Sequence, residues 1–201
     1  MNQLWDKCGS LTIESVQARL AEIQDPAWYG ESSISLREAA VLVPLVCEDG
    51  ILHLLFTRRT DLVHDHKGQV AFPGGSVEPQ DSSLEDTALR ETYEEIGILP
   101  AEIRVLGMLP LFNTITGFLI RPVVGVIPWP YDLRLSTQEV SRVFTIPMAW
   151  LANPANRIER KMILSDGRNE KVVFFNTYDG ETLWGATARI TLNFLDILVS
   201  E

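Results

Sequence analysis

Cysteine is nearly missing from this chain: its 201 residues hold Cys8 and Cys47, with no C-x-x-C pair. Neither a disulfide framework nor a thiolate metal cage can therefore organise the fold, and both residues are expected as free thiols in a reducing compartment. Histidine is equally scarce, and His64, Asp65 and His66 alternate in a polar loop without the third strong donor that zinc requires. Basic residues are the minority, 17 against 27 acidic, for a net charge of −10. That field repels polyanions and argues against nucleic acid as a partner, yet a small phosphorylated ligand stays open because a divalent cation reverses the local sign. Long hydrophobic runs are absent too. The apolar stretch 106–129 is interrupted by Pro110, Asn113, Arg121, Pro122 and Pro128, and the first residues, MNQLWDKCGSL, lack the apolar core of a secretory signal. No period of ~20 to 50 residues repeats. These absences lead to an expectation of a cytoplasmic protein with no membrane partner.

What is present is an ordinary folding composition, 46% hydrophobic and 22% charged, in a chain long enough to bury roughly 70% of its unfolded surface. Residues 12–23 place Ile13, Val16, Leu20 and Ile23 at helical spacing behind Thr12 as N-cap, and DPAWYG follows as a linker. Residues 1–30 are thus expected to be an amphipathic helix and linker, and 31–201 the main domain. AAVLVPLVC, the turn EDG and ILHLLFTRR predict a β-hairpin, and QVAFPGG ends on a Pro-Gly-Gly turn. Further strands are expected near 102–112, 118–127, 139–145 and 171–178, a turn or short helix at IPMAWL, and a closing helix over 186–199. A mixed sheet with helices on both faces fits this order, an α/β fold.

The most sharply bounded helix spans 83–96. Ser82 and Glu85 have capping-box spacing, Gly97 sits where a C′ glycine belongs, and Pro100 stops continuation. At 100° per residue, Leu84, Ala88, Leu89, Thr92 and Ile96 share a core-facing arc, and Glu91, Glu94 and Glu95 share the adjoining one. Glu95, nearest the apolar stripe, is expected to be the least solvated. Three like charges cost an isolated helix about 0.2 to 0.5 kcal/mol per pair, which a hard cation among the oxygens offsets. E-x-x-E-E alone fits a solvated face better than a cation site. Arg90 beside it and the upstream glycines tilt the reading toward the cation.

The segment GGSVEPQDSSLEDTALRETYEEIGI resembles the Nudix box, G-x5-E-x7-R-E-U-x-E-E-x-G-U with U aliphatic. Arg90, Glu91, Glu94, Glu95, Gly97 and Ile98 match its second half, with Thr92 at an aliphatic position. Gly75 lies one residue further from Arg90 than the motif has it, and Asp81 takes the early acidic place. Upstream, LLFTRRTDLVHDHKGQVAFPGG is similar to the motif of the coenzyme A diphosphatase branch. Leu54, Leu55, Arg58, His66, Gly68, Gln69, Val70, Phe72, Pro73, Gly74 and Gly75 fit, whereas Thr60 and His64 replace Ser and Arg. WGATARI resembles the start of that branch's C-terminal helix.

The resemblance covers roughly 37–198 and implies a Nudix-type α/β/α sandwich that hydrolyses a diphosphate with Mg²⁺ or Mn²⁺. It implies Glu91, Glu95 and Glu94 as metal ligands, with a Gly74 or Gly75 carbonyl. Arg90 is implied as an orienter, and Glu94 or Glu139 as general base, with Glu139 alternatively a fourth ligand or an exposed strand-edge acid. Arg58, Arg59, His66, Gln69 and Phe72 are implied as substrate contacts, with strand alternation allowing one of the two arginines to face the site. The substrate implied is coenzyme A or acyl-CoA, bound by the chain alone or as a homodimer. The alternatives are ADP-ribose, dinucleotides or nucleotides, or a non-catalytic ligand sensor. Arg157, Arg160 and Lys161 could meet a 3′-phosphate, although a solvated face suits them better, and Trp184 and Phe194 are expected in the core.

Overall fold

The computed structural model of the chain describes residues 12–23, 36–61, 67–163, 167 and 169–199. Its frame is the predicted hairpin. β1 (Arg37–Glu48) and β2 (Ile51–Arg59) pair antiparallel with Leu45 opposite Leu54, and both turn residues, Asp49 and Gly50, take positive φ as a tight hairpin turn requires. Ala40, Leu42 and Val46 face one side of β1, and Val43 and Leu45 the other. Both sides are covered, which is why this strand reads as a continuous apolar run.

β1 continues the sheet through a parallel pairing with β7 (Phe118–Val126), Val43 opposite Val124. β5 (Arg104–Met108) and β6 (Phe112–Asn113) pair antiparallel with β7. β8 (Val140–Pro147) pairs antiparallel with β2, and β3 (Val70–Ala71) pairs with the end of β2. β4 (Gly74–Ser76) lies along the first part of β1. The result is an eight-stranded mixed sheet. β9 (Arg157–Ile163) and β10 (Asn169–Phe175) form a separate antiparallel ribbon.

Helix α2 (Leu84–Ile96) packs Ala88 and Ile96 onto the Ala40, Leu42, Leu55 and Val123 face. The opposite face is covered by α4 (Gly185–Val199), the short α3 (Met148–Ala152) and α1 (Ile13–Ala21), whose Ile13, Val16 and Leu20 join Leu106 and Phe194 in one core. This is the α/β/α sandwich. The α1 side chains are fully enclosed, and Gly107 lies against Leu20, so the helix seals the β5 edge. Thr12 caps it, accepting from the Ser15 amide at 3.2 Å.

Three local expectations change. The predicted strand over 102–112 is broken into a 3₁₀ turn at Pro100–Glu102, β5 and β6, with a register shift between Val105 and Gly107 and Pro110 ahead of β6. β9 is a strand that periodicity missed, because its RIERKMI sequence lacks an apolar stripe and its side chains are almost all exposed. Cys47 is disulfide-bonded, which corrects the free-thiol expectation for that residue, and Cys8 lies outside the described residues.

Candidate active site

The site is built around α2 and the loop before it. The N-cap is Ser83 rather than Ser82: the Ser83 hydroxyl oxygen accepts from the Asp86 amide at 3.0 Å, and Ser82 donates its hydroxyl to the Asp86 carboxylate. At the far end Gly97 adopts the left-handed conformation, φ 78°, and its amide returns to the Tyr93 carbonyl. The next exposed carbonyls of the helix are taken by a later loop, the Arg134 amide donating to Ile96 O and the Ser136 amide to Glu95 O. Thr92, at the aliphatic position of the motif, is fully buried and satisfies its hydroxyl on Ala88 O at 2.7 Å.

Arg90 lies at the centre of an ion-pair network. Its guanidinium donates to both Asp81 oxygens, Nε at 2.8 Å and Nη2 at 2.9 Å, to Glu91 at 2.9 Å, to Glu94 at 3.0 Å and to the Ser76 carbonyl at 3.1 Å. Asp81 is buried and also accepts from the Glu78 amide and the Thr87 hydroxyl. Arg90 above all, with these two donors, holds the Asp81 carboxyl well below the usual carboxylate range. With both oxygens hydrogen-bonded, Asp81 ties the loop to the helix.

The three glutamates differ in environment. Glu94 is half exposed and Glu91 mostly covered. Burial pushes the Glu91 carboxyl up, opposed by Arg90. Glu95 is 3% exposed, and its Oε2 is one of two buried side-chain polar atoms without a hydrogen-bond partner among the described residues. Desolvation pushes Glu95 up to about 8, with Glu91 and Glu139 adding repulsion and Arg59 and the Gly74 amide opposing. The other orphan atom is Arg59 Nε. β4 passes directly beneath: a Cβ on Gly75 would stand 2.5 Å from the Glu91 carboxylate, and one on Gly74 would stand 2.4 Å from the Ala40 carbonyl oxygen. Glycine is needed at both positions for close approach, once of a side chain and once of a strand backbone.

Glu139 immediately precedes β8, exposed, and its charge is felt by both Glu91 and Glu95. Its carbonyl accepts from the Thr60 amide at 2.8 Å, which ties it to the end of β2. Alternation along β2 resolves the two arginines. Arg59 is on the α2 side, where its charge reaches Glu95. Arg58 is on the other side, bonded to Ser141 at 3.0 Å and paired with Glu181 and Asp61. Phe72 is 3% exposed and stacks on Phe56 at 4.9 Å in the core. His66 lies outside the described residues.

Gln69 borders a cavity of about 520 Å³ between the β6–β7 loop, the β9–β10 ribbon and the start of α4. Its backbone carbonyl accepts from the Arg59 amide at 2.9 Å. Trp184, expected in the core, lines the cavity and stacks on Phe174 with an interplanar angle of 2°. Phe194 is fully buried. Nothing in the sequence pattern separated the two, because both belong to apolar stretches; Trp184 differs by preceding the helix rather than lying within it.

The carboxylates are neighbours rather than a finished cage, and among the described residues no three acidic, histidine or cysteine side chains converge as metal ligands. The donor set nevertheless suits a hard divalent cation: oxygen ligands throughout, one buried carboxylate oxygen without a partner, and a strand that approaches without side chains.

Acids ranged along one helix edge over a glycine strand suit a cation-assisted reaction on an anionic group, and the relatives give the class, the hydrolases of phosphorus-containing anhydrides. A family model described as the NUDIX domain matches residues 36–165, and the chain belongs to the Nudix family. It is 40% identical over 169 residues to the Nudix hydrolase NudL of Yersinia enterocolitica, covering 84% of this chain and 85% of the relative. NudL of Cronobacter sakazakii is 43% identical over 163 residues, covering 79% and 81%. Both relatives are described as uncharacterized. Among solved structures, a MutT/nudix family protein from Enterococcus faecalis superposes with a TM-score of 0.56 at 17% identity, over 95% of this chain and 75% of that one. The protein is thus a Nudix hydrolase, of a family that uses divalent metal ions and takes small nucleotide substrates. Among the described residues no helix is long and apolar enough to cross a membrane.

Proposed function

We propose that this hydrolase cleaves the diphosphate of coenzyme A and acyl-CoA, giving 3′,5′-ADP and (acyl-)4′-phosphopantetheine. The observation that carries the reaction is the buried, unpartnered Glu95 oxygen beside Glu91 above the Gly74-Gly75 strand. Glu91 and Glu95, with Glu94 and a Gly74 or Gly75 carbonyl, would hold Mg²⁺ or Mn²⁺. The cation supplies Lewis-acid neutralisation of the non-bridging phosphate oxygens. Arg90 orients Glu91 and Glu94 from behind. Arg59 adds positive charge beside Glu95, where it would meet the diphosphate. Glu139, exposed and close enough to be felt by both buried acids, takes the proton of the attacking water, with Glu94 as the other carboxylate able to do so.

The coenzyme A assignment is supported by the LLFTRR and GQVAFPGG segments, which supply Arg59, the bend beneath the glutamates and Gln69 at the cavity mouth. A chromatographic assay that resolves products tests it, with CoA, acetyl-CoA, ADP-ribose, NADH and dGTP as substrates, each with Mg²⁺ and with Mn²⁺. The expected result is 3′,5′-ADP from CoA and acetyl-CoA at the highest kcat/KM of the set. A preference for ADP-ribose or NADH would replace coenzyme A with the broader nucleotide reading.

A further inference from the structure

β9 presents an edge that the diphosphate chemistry does not use. β10 attaches the ribbon to the body, with Val172, Val173 and Phe175 buried and Phe174 stacked on Trp184 at 5.6 Å. β9 lies outside it, and among the described residues no strand but β10 pairs with it. Its second edge therefore holds a row of main-chain donors and acceptors without a strand partner. Three of the eight exposed large hydrophobic residues among those described, Ile158, Met162 and Ile163, belong to this one seven-residue strand. The usual protections of such an edge are missing: the strand has no proline, and it pairs with β10 without a register shift. Its charges, Arg157, Glu159, Arg160 and Lys161, are what remains to guard it.

The order of those charges makes them complementary to themselves. A two-fold axis perpendicular to the ribbon keeps each side chain on its own face, so self-pairing must be centred on a residue. Centred on Arg160, antiparallel pairing sets Glu159 opposite the partner's Lys161 twice and Ile158 opposite the partner's Met162 twice. Centred on Glu159, it sets Arg157 against Lys161 and Ile158 against Arg160. Centred on Lys161, it sets Glu159 against Ile163 and Arg160 against Met162. Of these three registers, which overlap most of the strand, the first alone matches acid with base and apolar with apolar. Its one like-charged contact, Arg160 with Arg160, is relieved because each guanidinium lies over its own Phe174 ring at 5.1 Å, on the β10 side. Lys161 gains from the pairing, since within its own ribbon it stands opposite Lys171.

We propose that β9 is a dimerisation edge, which pairs antiparallel with β9 of a second copy of this chain about Arg160 and joins the two ribbons into one four-stranded sheet. Two seven-residue strands make a contact at the low end of specific interfaces, so the dimer is reversible, with a Kd on the order of 10 µM.

Sedimentation velocity of the full chain from about 1 to about 200 µM tests this, with the wild type passing from monomer to dimer across the range. Glu159→Lys and Lys161→Glu each set like charges across the axis and should raise the Kd by roughly tenfold or more. Mixed in equal amounts, the two variants regain opposite charges at both positions, so the mixture should sediment as a dimer at concentrations where neither variant does alone. Both side chains are exposed, and thermal melts of each variant check that the fold is kept. Should Glu159→Lys lose stability with its Arg189 contact, Lys161→Glu alone decides, because Lys161 has no acidic partner among the described residues. A wild type that stays monomeric throughout, a dimer that Lys161→Glu leaves intact, or a mixture of folded variants that stays monomeric would overturn the proposal. No substrate enters the measurement, so its failure would leave the hydrolase reading as it stands.

Discussion

At the scale of single residues, the site depends on one carboxyl placed where it does not ionise easily. Glu95 has a folded pKa of about 8 against its ordinary 4.5, so the native metal-free protein holds a proton that the unfolded chain has lost. The stability this confers is complete below pH 4.5 and is lost as pH rises toward 8, at up to about 1.4 kcal/mol per pH unit. Thermal melts in chelator should therefore show Glu95→Gln more stable than wild type at pH 8 and indistinguishable near pH 4.5; equal Tm at both would place the carboxyl in a more polar setting than its burial indicates. Asp81 has the opposite sign. Its depressed pKa stabilises the fold above its ordinary range, and that contribution fades as the solution is acidified. Asp81→Asn is expected to cost about 3 kcal/mol at neutral pH, because it removes the carboxylate that takes two of the five Arg90 hydrogen bonds, and urea unfolding would read the loss.

At the scale of elements, the helix and the strand beneath it are fitted to one another, and the two glycines of β4 separate fold from chemistry. At Gly75 a Cβ meets the end of the flexible Glu91 side chain, whereas at Gly74 it meets the backbone of β1. Gly75→Ala should therefore keep a near-native melting temperature while losing on the order of 10-fold or more in kcat, and Gly74→Ala should unfold or express poorly. Similar Tm losses in both would show that the strand, not the glutamate, yields. Much of this was legible beforehand. The E-x-x-E-E spacing put three carboxylates on one helix edge, and the apolar stripe beside Glu95 identified it as the buried one. Other features depended on tertiary choices. Which of two adjacent serines caps α2 is decided by where the loop ends once Asp81 has engaged Arg90. Which of two adjacent arginines faces α2 depends on the register of β2, which no local pattern states.

At the scale of the whole molecule, the sandwich frame was readable from continuous apolar strands and amphipathic helices. So was β10, whose Val172, Val173 and Phe175 are buried, but β9 was not, because its side chains are almost all exposed and it is held by pairing with β10. The most direct measurement is release of 4′-phosphopantetheine from CoA by the wild type, Glu91→Gln and Glu95→Gln, with Mg²⁺ or Mn²⁺ and in chelator. The expected result is turnover by the wild type only with the metal, and a loss on the order of 100-fold or more in both variants while they remain folded. Undiminished turnover in both variants, or metal-independent turnover by the wild type, would contradict the assignment of the α2 carboxylates as the catalytic centre.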